Sequence, residues 1–230
     1  MSAPRSIDLR AWQPGDDEAL APVVAHLRAG GLIAYPTETV YGFGGRLEPG
    51  ALARLTALKG RDPEKPFLLL VPDERAVARL AWTEPARELA GVFWPGALTL
   101  VLADPDGSFP PGVRSPAGAV AVRRSSHPLA RRLVELLGEP ITSTSANAPG
   151  AAPAASGEEA RAAGLALGGA EDLWVLDVGG LPESAPSTIV DCTGEAPRIL
   201  RAGSTPVRRI RCVLPGIESQ DAERNGPSDR

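Results

Sequence analysis

Apolar residues recur along the chain at the three- and four-residue intervals that are typical of amphipathic helices. Between residues 16 and 29, Leu20, Val23, Val24 and Leu27 follow this spacing, and two glycines after them provide a stop signal. Further helices are predicted at residues 49–59, around 77–81 and 86–93, along the stretch from Leu129 to Leu137, and near 158–167. Each of these helices is expected to pack by one apolar face.

Continuous apolar runs of strand length alternate with these helices. The run "LIAY" at residues 32–35 ends at Pro36, which is typical of a buried strand that leads into a loop. Further strands are predicted at residues 67–71, 97–103 and 119–124, in the segment "ITSTSAN", and at 173–178, 188–191 and 198–200. Because helices alternate with strands through two thirds of the chain and strands dominate the rest, the pattern predicts an α/β or α+β domain. Its sheet should be mixed, twisted and flanked by helices.

Polar side chains stand where several of the predicted strands end. Thr37 follows the first strand, Arg123 lies at the end of another, and Ser143, Ser145 and Asn147 belong to "ITSTSAN". Ligands of open α/β sheets bind beyond strand ends. We therefore expect these five side chains to meet in one cleft, in the loops that follow their strands.

The length of 230 residues predicts one main domain. We assign residues 1–214 to this domain, with a core at about 15–205, and predict a disordered C-terminal tail at 215–230. The segment 148–156 is rich in Ala and Pro and is predicted to be a mobile loop.

Composition and charge restrict the classes of function. The formal net charge of −4 argues against nucleic-acid binding through bulk positive charge, so any basic site must be local. Cys192 and Cys212 lack the spacing of a zinc site and are predicted to be two buried thiols. The N-terminus has no signal-peptide core and no apolar run approaches a membrane span, which predicts a soluble, cytoplasmic protein.

Three cations lie close together in the segment "LKGRDPEKPF". Lys59, Arg61 and Lys65 surround the end of a predicted helix beside two prolines, and this density favours an anion site. The alternative is a solvated, positively charged helix end. Because Arg donates two parallel hydrogen bonds and Lys acts as a point charge, the combination suggests a polyphosphate ligand.

Other motifs are ambiguous when each is taken alone. "PTETVYG" fits either a functional loop or a strand with tight turns, and "STSAN" fits either a site or a turn cap. The sequence has neither a P-loop nor a GxGxxG motif, so a bound nucleotide would be held by other means. His26 and His127 belong to helix patterns without a nucleophile elbow, and Ser-His-Asp hydrolysis is set aside.

In combination, the segments resemble a known family. Those that agree are "GGLIAYPTETVYGFGG", "LKGRDPEKPF", "WPGALTLVL", "AVAVRR", "TSTSAN", "STIVD" and "ILRAG". Their order and approximate spacing are similar to those of the YrdC-like family, the threonylcarbamoyl-adenylate synthases, over about residues 15–205. The family's K-x-R pattern stands at 59–61 and its S-x-N pattern at 145–147, whereas Lys65 and Phe67 replace residues that are commonly Asn and Leu in relatives.

The resemblance implies a short-form enzyme made of one YrdC-like domain with a basic concave cleft. Such a nucleotidyltransferase joins L-threonine, bicarbonate or carbon dioxide, and ATP with Mg²⁺ into threonylcarbamoyl-AMP, and releases pyrophosphate. Its product feeds the tRNA threonylcarbamoyl-transfer machinery, which modifies adenosine 37.

The resemblance also implies roles for individual residues. Lys59 and Arg61 are implied to be the catalytic residues. No metal ligand from the protein is identified. Threonine is held by Thr37, Arg123, Ser145 and Ser187. ATP is contacted by Lys59, Arg61, Lys65, Ser143, Asn147 and Arg201.

Two other classes of function compete with this interpretation. A basic concave surface could bind tRNA or double-stranded RNA weakly, although the net charge of −4 and the lack of interleaved basic and aromatic residues argue against this class. The other is a carbamoyl-transfer domain of the hydrogenase-maturation type, which belongs to longer chains with zinc-finger and acylphosphatase modules that are not seen in this sequence.

Overall fold

The computed structural model describes residues 3–60, 65–169 and 172–219. In these ranges it contains six α-helices, namely α1 (Ala21–Arg28), α2 (Pro49–Lys59), α3 (Glu84–Phe93), α4 (Pro128–Leu137), α5 (Gly157–Ala166) and α6 (Val207–Val213). Short 3₁₀ helices at Glu18–Leu20 and Glu74–Val77 precede α1 and α3. No helix of the described residues is long and apolar enough to cross a membrane.

The described residues also form eleven strands of one sheet. They are β1 (Arg5–Asp8), β2 (Leu32–Tyr35), β3 (Gly42–Gly44), β4 (Leu68–Leu70), β5 (Leu98–Ala103), β6 (Ala119–Arg123), β7 (Ile141–Ser145), β8 (Leu173–Asp177), β9 (Thr188–Asp191), β10 (Arg198–Arg201) and β11 (Glu218–Ser219). Their order across the sheet is β1-β8-β2-β3-β7-β4-β6-β5-β9-β10-β11. Parallel pairs such as β4 with β6 occur beside antiparallel pairs such as β4 with β7, so the predicted mixed sheet is confirmed.

Local sequence fixes the ends of α2, the helix that leads into the site. Pro49 starts the helix, where its fixed φ is already helical and its missing N–H is not needed. Gly60 follows the last turn with a left-handed φ of 52°, which a side chain would disfavour. Leu52 and Leu55 bury one face of the helix. Lys59 is therefore presented at a defined helix end.

Helices cover the two faces of the sheet unequally. One face packs against α2, α3, α5 and α6 through a core that includes Phe43, Leu100 and Val122. The other face packs against α1 and α4 through a core that includes Ile33 and Leu70. In the described part of the chain, β5, β6, β9 and β10 contribute no residue to this second core. That part of the sheet face is consequently available to line a cavity.

The structure corrects several sequence predictions of local elements. The helix predicted around 77–81 is replaced by the 3₁₀ helix Glu74–Val77, because the Asp73 side chain accepts the N–H of Arg75 and starts the turn earlier. The elements β1, β3 and α6 were not predicted. β3 consists of residues 42–44, whose glycines indicated a loop because glycine is rare within strands.

The C-terminal tail prediction is wrong for residues 215–219. Ile217 is 5% exposed and belongs to the first core, and β11 pairs with β10 in parallel. The burial of Ile217 and the pairing of β11 together place this stretch on the sheet. Residues 220–230 lie outside the described residues.

The loop predicted to be mobile at 148–156 is tied to the rest of the fold. The Ala154 carbonyl oxygen accepts the N–H of Tyr41 at 2.9 Å, and the Ala154 N–H donates to Ala146 at 2.9 Å. Ala154 itself is 4% exposed. The composition of the segment indicated mobility, whereas its backbone pairing fixes it against the start of β3.

Candidate active site

The uncovered part of the sheet face forms the floor of a cavity of about 290 Å³. Successive side chains of a strand point to opposite faces, so β6 directs Ala121 and Arg123 into the cavity while its valines enter the opposite core. In the same way, β7 contributes Ser143 and Ser145. The cavity is therefore built on rigid, hydrogen-bonded strands.

The position of this cavity differs from the sequence prediction. Arg123, Ser143 and Ser145 were expected in loops beyond strand ends, but all three lie within strands, and the cavity lies over the sheet face. The reason is the antiparallel pairing of β7 with β4 and of β5 with β6, which sends neighbouring strand ends to opposite edges. Thr37 and Asn147 do follow the strands β2 and β7.

Thr37 stabilises a tight turn at the wall of the cavity. Its Oγ1 accepts the N–H groups of Thr39 and Val40 at 3.2 Å each, and it donates to the Val40 carbonyl oxygen at 2.7 Å. Thr37 is 1% exposed, and all three residues line the cavity. The "PTET" segment is therefore a preorganised turn whose local hydrogen bonds hold it in place.

Arg123 is a buried cation of the cavity floor. It is 3% exposed, and its Nη1 lies 3.4 Å from Thr39 Oγ1 and 3.6 Å from Glu38 Oε1. Among the described residues, its Nε has no hydrogen-bond partner. Because a buried guanidinium with unused donors is costly until an anion satisfies it, Arg123 is suited to bind a carboxylate.

Arg201 enters the same cavity from β10. A register shift between Ile199 and Arg201 interrupts the strand, as a β-bulge does when it redirects a side chain. Its Nη2 and Nε donate to the Ser187 carbonyl oxygen at 2.8 and 3.1 Å. Partial burial, and after it the positive charge of Arg123, lowers the pKa of Arg201. Because both guanidinium groups line the same cavity, an anion between them would be stabilised by both.

We call this site the arginine cavity and define it by Thr37, Arg123, Ser187 and Arg201. It brings together six of the residues predicted from the sequence, which are these four with Ser143 and Ser145. The resemblance assigned Ser143 and Arg201 to ATP, but in the structure they share the cavity of the residues assigned to threonine.

A second cavity of about 420 Å³ adjoins the first, and the two share Thr144 and Ser145. Its other lining includes Lys59, Lys65 and Asn147, by which we define it as the lysine cavity. The chain of 230 residues has only two lysines, and both line this cavity. Amino groups are thus concentrated at one place in a protein whose other cationic side chains are arginines.

Lys59 joins the end of α2 to the segment after β7. Its Nζ donates to the Ser145 carbonyl oxygen at 2.9 Å, to the Asn147 carbonyl oxygen at 2.5 Å and to Asn147 Oδ1 at 3.0 Å. Ser145 Oγ donates to the same Asn147 Oδ1 at 2.6 Å. Lys59 is 8% exposed, so its charge is delivered to the cavity from a largely buried position. Arg61, predicted beside it, lies outside the described residues.

Sequence reasoning missed one residue that lines the arginine cavity, Thr99, and one that contacts Arg123, Glu38. Thr99 of β5 lines the cavity, and its Oγ1 lies 2.9 Å from Ser187 Oγ. Glu38 contacts Arg123 although it is distant from it in sequence. The alternation of Thr99 with buried leucines in β5 was a signal in the sequence that could have identified Thr99. The contact of Glu38 with Arg123 depends on the pairing of strands, which no local pattern reveals.

The chemistry of both cavities suits anions more than metals. Over the described ranges, no group of three or more His, Cys, Asp or Glu side chains is arranged to hold a metal ion. The two cavities are lined by cations, hydroxyl groups and an amide. A Mg²⁺ ion here would fit only as a companion of phosphate oxygens, which commonly supply its ligands.

The two thiols differ from the sequence prediction of a buried pair. Cys192 is buried, and burial raises its pKa to about 12, whereas Cys212 is exposed on α6. Both are free thiols.

The fold and site define a mixed α/β domain with a cleft lined by Arg123 and Arg201 on one sheet face. The sequence model of the family described as "Telomere recombination" (Sua5_yciO_yrdC) matches residues 25–203. The chain therefore belongs to the Sua5/YciO/YrdC family, and the resemblance found in the sequence is confirmed.

Individual relatives refine this placement. A threonylcarbamoyl-AMP synthase of Chromohalobacter salexigens is 41% identical over 181 residues, which are 76% of this chain and 92% of that protein. The crystal structure of Pyrococcus abyssi Sua5 complexed with L-threonine has a TM-score of 0.85 and 30% identity, and the match covers 99% of this chain but 65% of that one. HypF of T. kodakarensis, with a TM-score of 0.67 and 19% identity, shares the fold alone, over 83% of this chain and 24% of its own.

Proposed function

We propose that this protein is an L-threonylcarbamoyladenylate synthase, a nucleotidyltransferase that forms threonylcarbamoyl-AMP and pyrophosphate. Its substrates are L-threonine, bicarbonate or carbon dioxide, and ATP. The main support for the proposal is that the arginine and lysine cavities lie side by side and share Thr144 and Ser145. The relative named as this synthase and the Sua5 structure with bound L-threonine support the choice of substrates.

The reaction requires two anionic substrates to be held with their reacting atoms together. The amine of threonine first captures the one-carbon unit as a carbamate, with loss of water from bicarbonate or of a proton when carbon dioxide reacts. A carbamate oxygen then attacks the α-phosphorus of ATP. The bond from this phosphorus to the β-phosphate oxygen breaks, and pyrophosphate leaves. Positioning and neutralised charge account for most of the catalysis of such steps.

The arginine cavity is proposed to hold threonine. Arg123 would pair with the substrate carboxylate, since it lines the cavity and its Nε has no hydrogen-bond partner in the described residues. The hydroxyl groups of Thr37, Ser145 and Ser187 would orient the rest of the substrate. At about 290 Å³, the cavity is at the small end of the usual range for ligand sites, as expected for one amino acid.

The lysine cavity is proposed to hold the phosphates of ATP. Lys59 and Lys65 supply positive charge and Asn147 supplies an amide. Arg61 is assigned to the same nucleotide by the resemblance alone. Ser143 and Arg201 would reach the nucleotide from the arginine cavity, where the α-phosphate meets the carbamate. Mg²⁺ is expected on the phosphates, where it would neutralise the charge of the leaving pyrophosphate.

The product is proposed to serve tRNA modification. Threonylcarbamoyl-AMP is a mixed anhydride, so its threonylcarbamoyl group is activated for transfer to an amine. The transfer machinery would pass this group to N6 of adenosine 37 in tRNA.

The experiment that tests the proposal is pyrophosphate release by the purified protein with ATP and Mg²⁺, with threonine and bicarbonate omitted in turn. Release that requires both, with the mass of threonylcarbamoyl-AMP among the products, is expected. ATP binding without pyrophosphate release under any combination would contradict the proposed activity, and a salt-sensitive shift of RNA would then favour the RNA-binding alternative.

A further inference from the structure

Glu38 contacts Arg123 without lining the arginine cavity. Its Oε1 lies 3.6 Å from Arg123 Nη1, which is within ion-pair range but beyond a hydrogen bond. Its side chain is only 15% exposed, and its Oε1 has no hydrogen-bond partner in the described residues. A nearly buried carboxylate and a buried guanidinium therefore face each other through an incomplete ion pair.

The other carboxylate oxygen of Glu38 is anchored to the start of α4. Ser125 Oγ donates a short hydrogen bond to Glu38 Oε2, and the same Oγ accepts the N–H of His127 at 3.2 Å. His127 is the residue directly before α4. Glu38 is thus held on one side by the segment that leads into α4, while its other oxygen is directed toward Arg123.

The distance between the two charges has a consequence for substrate binding. A carboxylate in a two-bond fork with Arg123 would occupy the donors that a substrate needs. At 3.6 Å, Glu38 attracts and orients the guanidinium and leaves the Arg123 Nε unused.

Resting on the proposed function, we propose that Glu38 is a positioning residue for threonine. Held by Ser125, it fixes the direction of the Arg123 guanidinium so that the remaining N–H donors meet the substrate carboxylate. The residue acts through Arg123 and does not touch the reacting atoms, so its loss should alter threonine binding more than the chemical step.

The test compares Glu38→Gln with the wild-type protein in the pyrophosphate-release assay. Removing the charge while keeping the shape should raise the threonine KM about tenfold or more, while kcat and the ATP KM stay within about twofold. Ser125→Ala should raise the threonine KM in the same direction, and Ser125→Thr, which keeps the hydroxyl group, should restore it. Because both residues act on one guanidinium, the double variant should raise the threonine KM by less than the product of the two single increases.

Glu135→Gln is the matched control, since Glu135 pairs with Arg132 on the surface of α4.

Three results would overturn the proposed role of Glu38. An unchanged threonine KM in folded Glu38→Gln overturns the inference, and so does a fall in kcat with both KM values unchanged, which would indicate a role in the chemical step and not in threonine binding. If Glu38→Gln does not fold, the Ser125→Ala and Ser125→Thr pair decides by the same criterion. The wild-type protein is measured first: if it releases no threonine-dependent pyrophosphate, the proposed function itself fails and the inference fails with it.

Discussion

The arginine cavity and the lysine cavity adjoin but are built in different ways. The arginine cavity has its main cation, Arg123, on the central strand β6, and Glu38, Thr39 and Ser125 support it from neighbouring loops. The lysine cavity takes Lys59 from the end of α2 and Asn147 from the segment after β7, joined directly by hydrogen bonds. One site is thus preorganised on strands of the sheet, whereas the other is held by hydrogen bonds between the end of a helix and the end of β7 with the segment that follows it.

The largest effect is expected for Lys59→Ala, which removes these hydrogen bonds and the positive charge together. Three acceptors at Ser145 and Asn147 each lose one hydrogen bond, and the phosphates lose a fixed cation. We expect kcat to fall at least tenfold, and up to about a hundredfold as for other fixed electrostatic donors, with little change in the threonine KM. Arg61→Ala should cut turnover at least tenfold as well. A folded Lys59→Ala protein with a near-normal rate would remove this residue from the proposed role.

A smaller effect, confined to the other cavity, is expected for Arg123→Lys. The charge is kept, but the planar fork that can bind a carboxylate by two bonds is lost. The threonine KM should rise roughly tenfold, which corresponds to about 1.4 kcal/mol, with the ATP KM unchanged. Steady-state kinetics with each substrate varied in turn would measure this. Equal increases in both KM values would contradict the separation of the two cavities.

The scarcity of lysine allows a chemical test of the same separation. Lys65 is exposed in the lysine cavity, whereas Lys59 is largely buried. Pyridoxal phosphate followed by borohydride should label Lys65, and peptide mapping separates this label from the N-terminal amine. ATP should reduce labelling severalfold, whereas threonine alone should not. Protection by threonine and not by ATP would reverse the assignment of the cavities.

The smallest effect concerns stability next to the arginine cavity. Burial lowers the pKa of His127 below its ordinary value of 6.5, and the negative charge of Glu38 opposes this only in part. The unfolded chain therefore takes up a proton near pH 6.5 that the folded protein resists, so stability should fall as the pH decreases below about 6.5. The slope from one proton is at most about 1.4 kcal/mol per pH unit. Denaturant unfolding at pH 7.5 and 5.5 gives the free energy of unfolding of the wild-type protein and of His127→Gln. The wild-type protein should lose more stability between the two pH values, and an equal loss in both proteins would exclude a contribution of His127.

Much of the fold was predictable because the pattern and the packing agree. The strand at 32–35 and the helix from Pro49 are found at their predicted bounds, since an apolar run, a proline and a terminal glycine each determine local structure. β3 was not predictable because its glycines serve a close approach between strands: a Cβ at Gly44 would lie 1.9 Å from the Thr142 carbonyl oxygen. That constraint arises only when β7 pairs with β3.

The candidate site was predictable by residue type but not by arrangement. The sequence indicated Arg123 and Lys59 because cations near strand and helix ends suit anions. The sequence pattern predicted the cleft at the strand ends, because a sequence alone does not show which strands pair antiparallel. Glu38 was missed for the same reason, since its position opposite Arg123 follows from the order of the strands.

The central claim is that threonine and the ATP phosphates occupy separate, adjoining cavities, and titration calorimetry on two variants tests it most directly. Arg123→Ala should lose L-threonine binding and keep its affinity for ATP with Mg²⁺, whereas Lys59→Ala should keep threonine binding and lose affinity for ATP. If both variants lose the same ligand, or if each loses the ligand expected of the other, the division of the site between the two cavities is wrong.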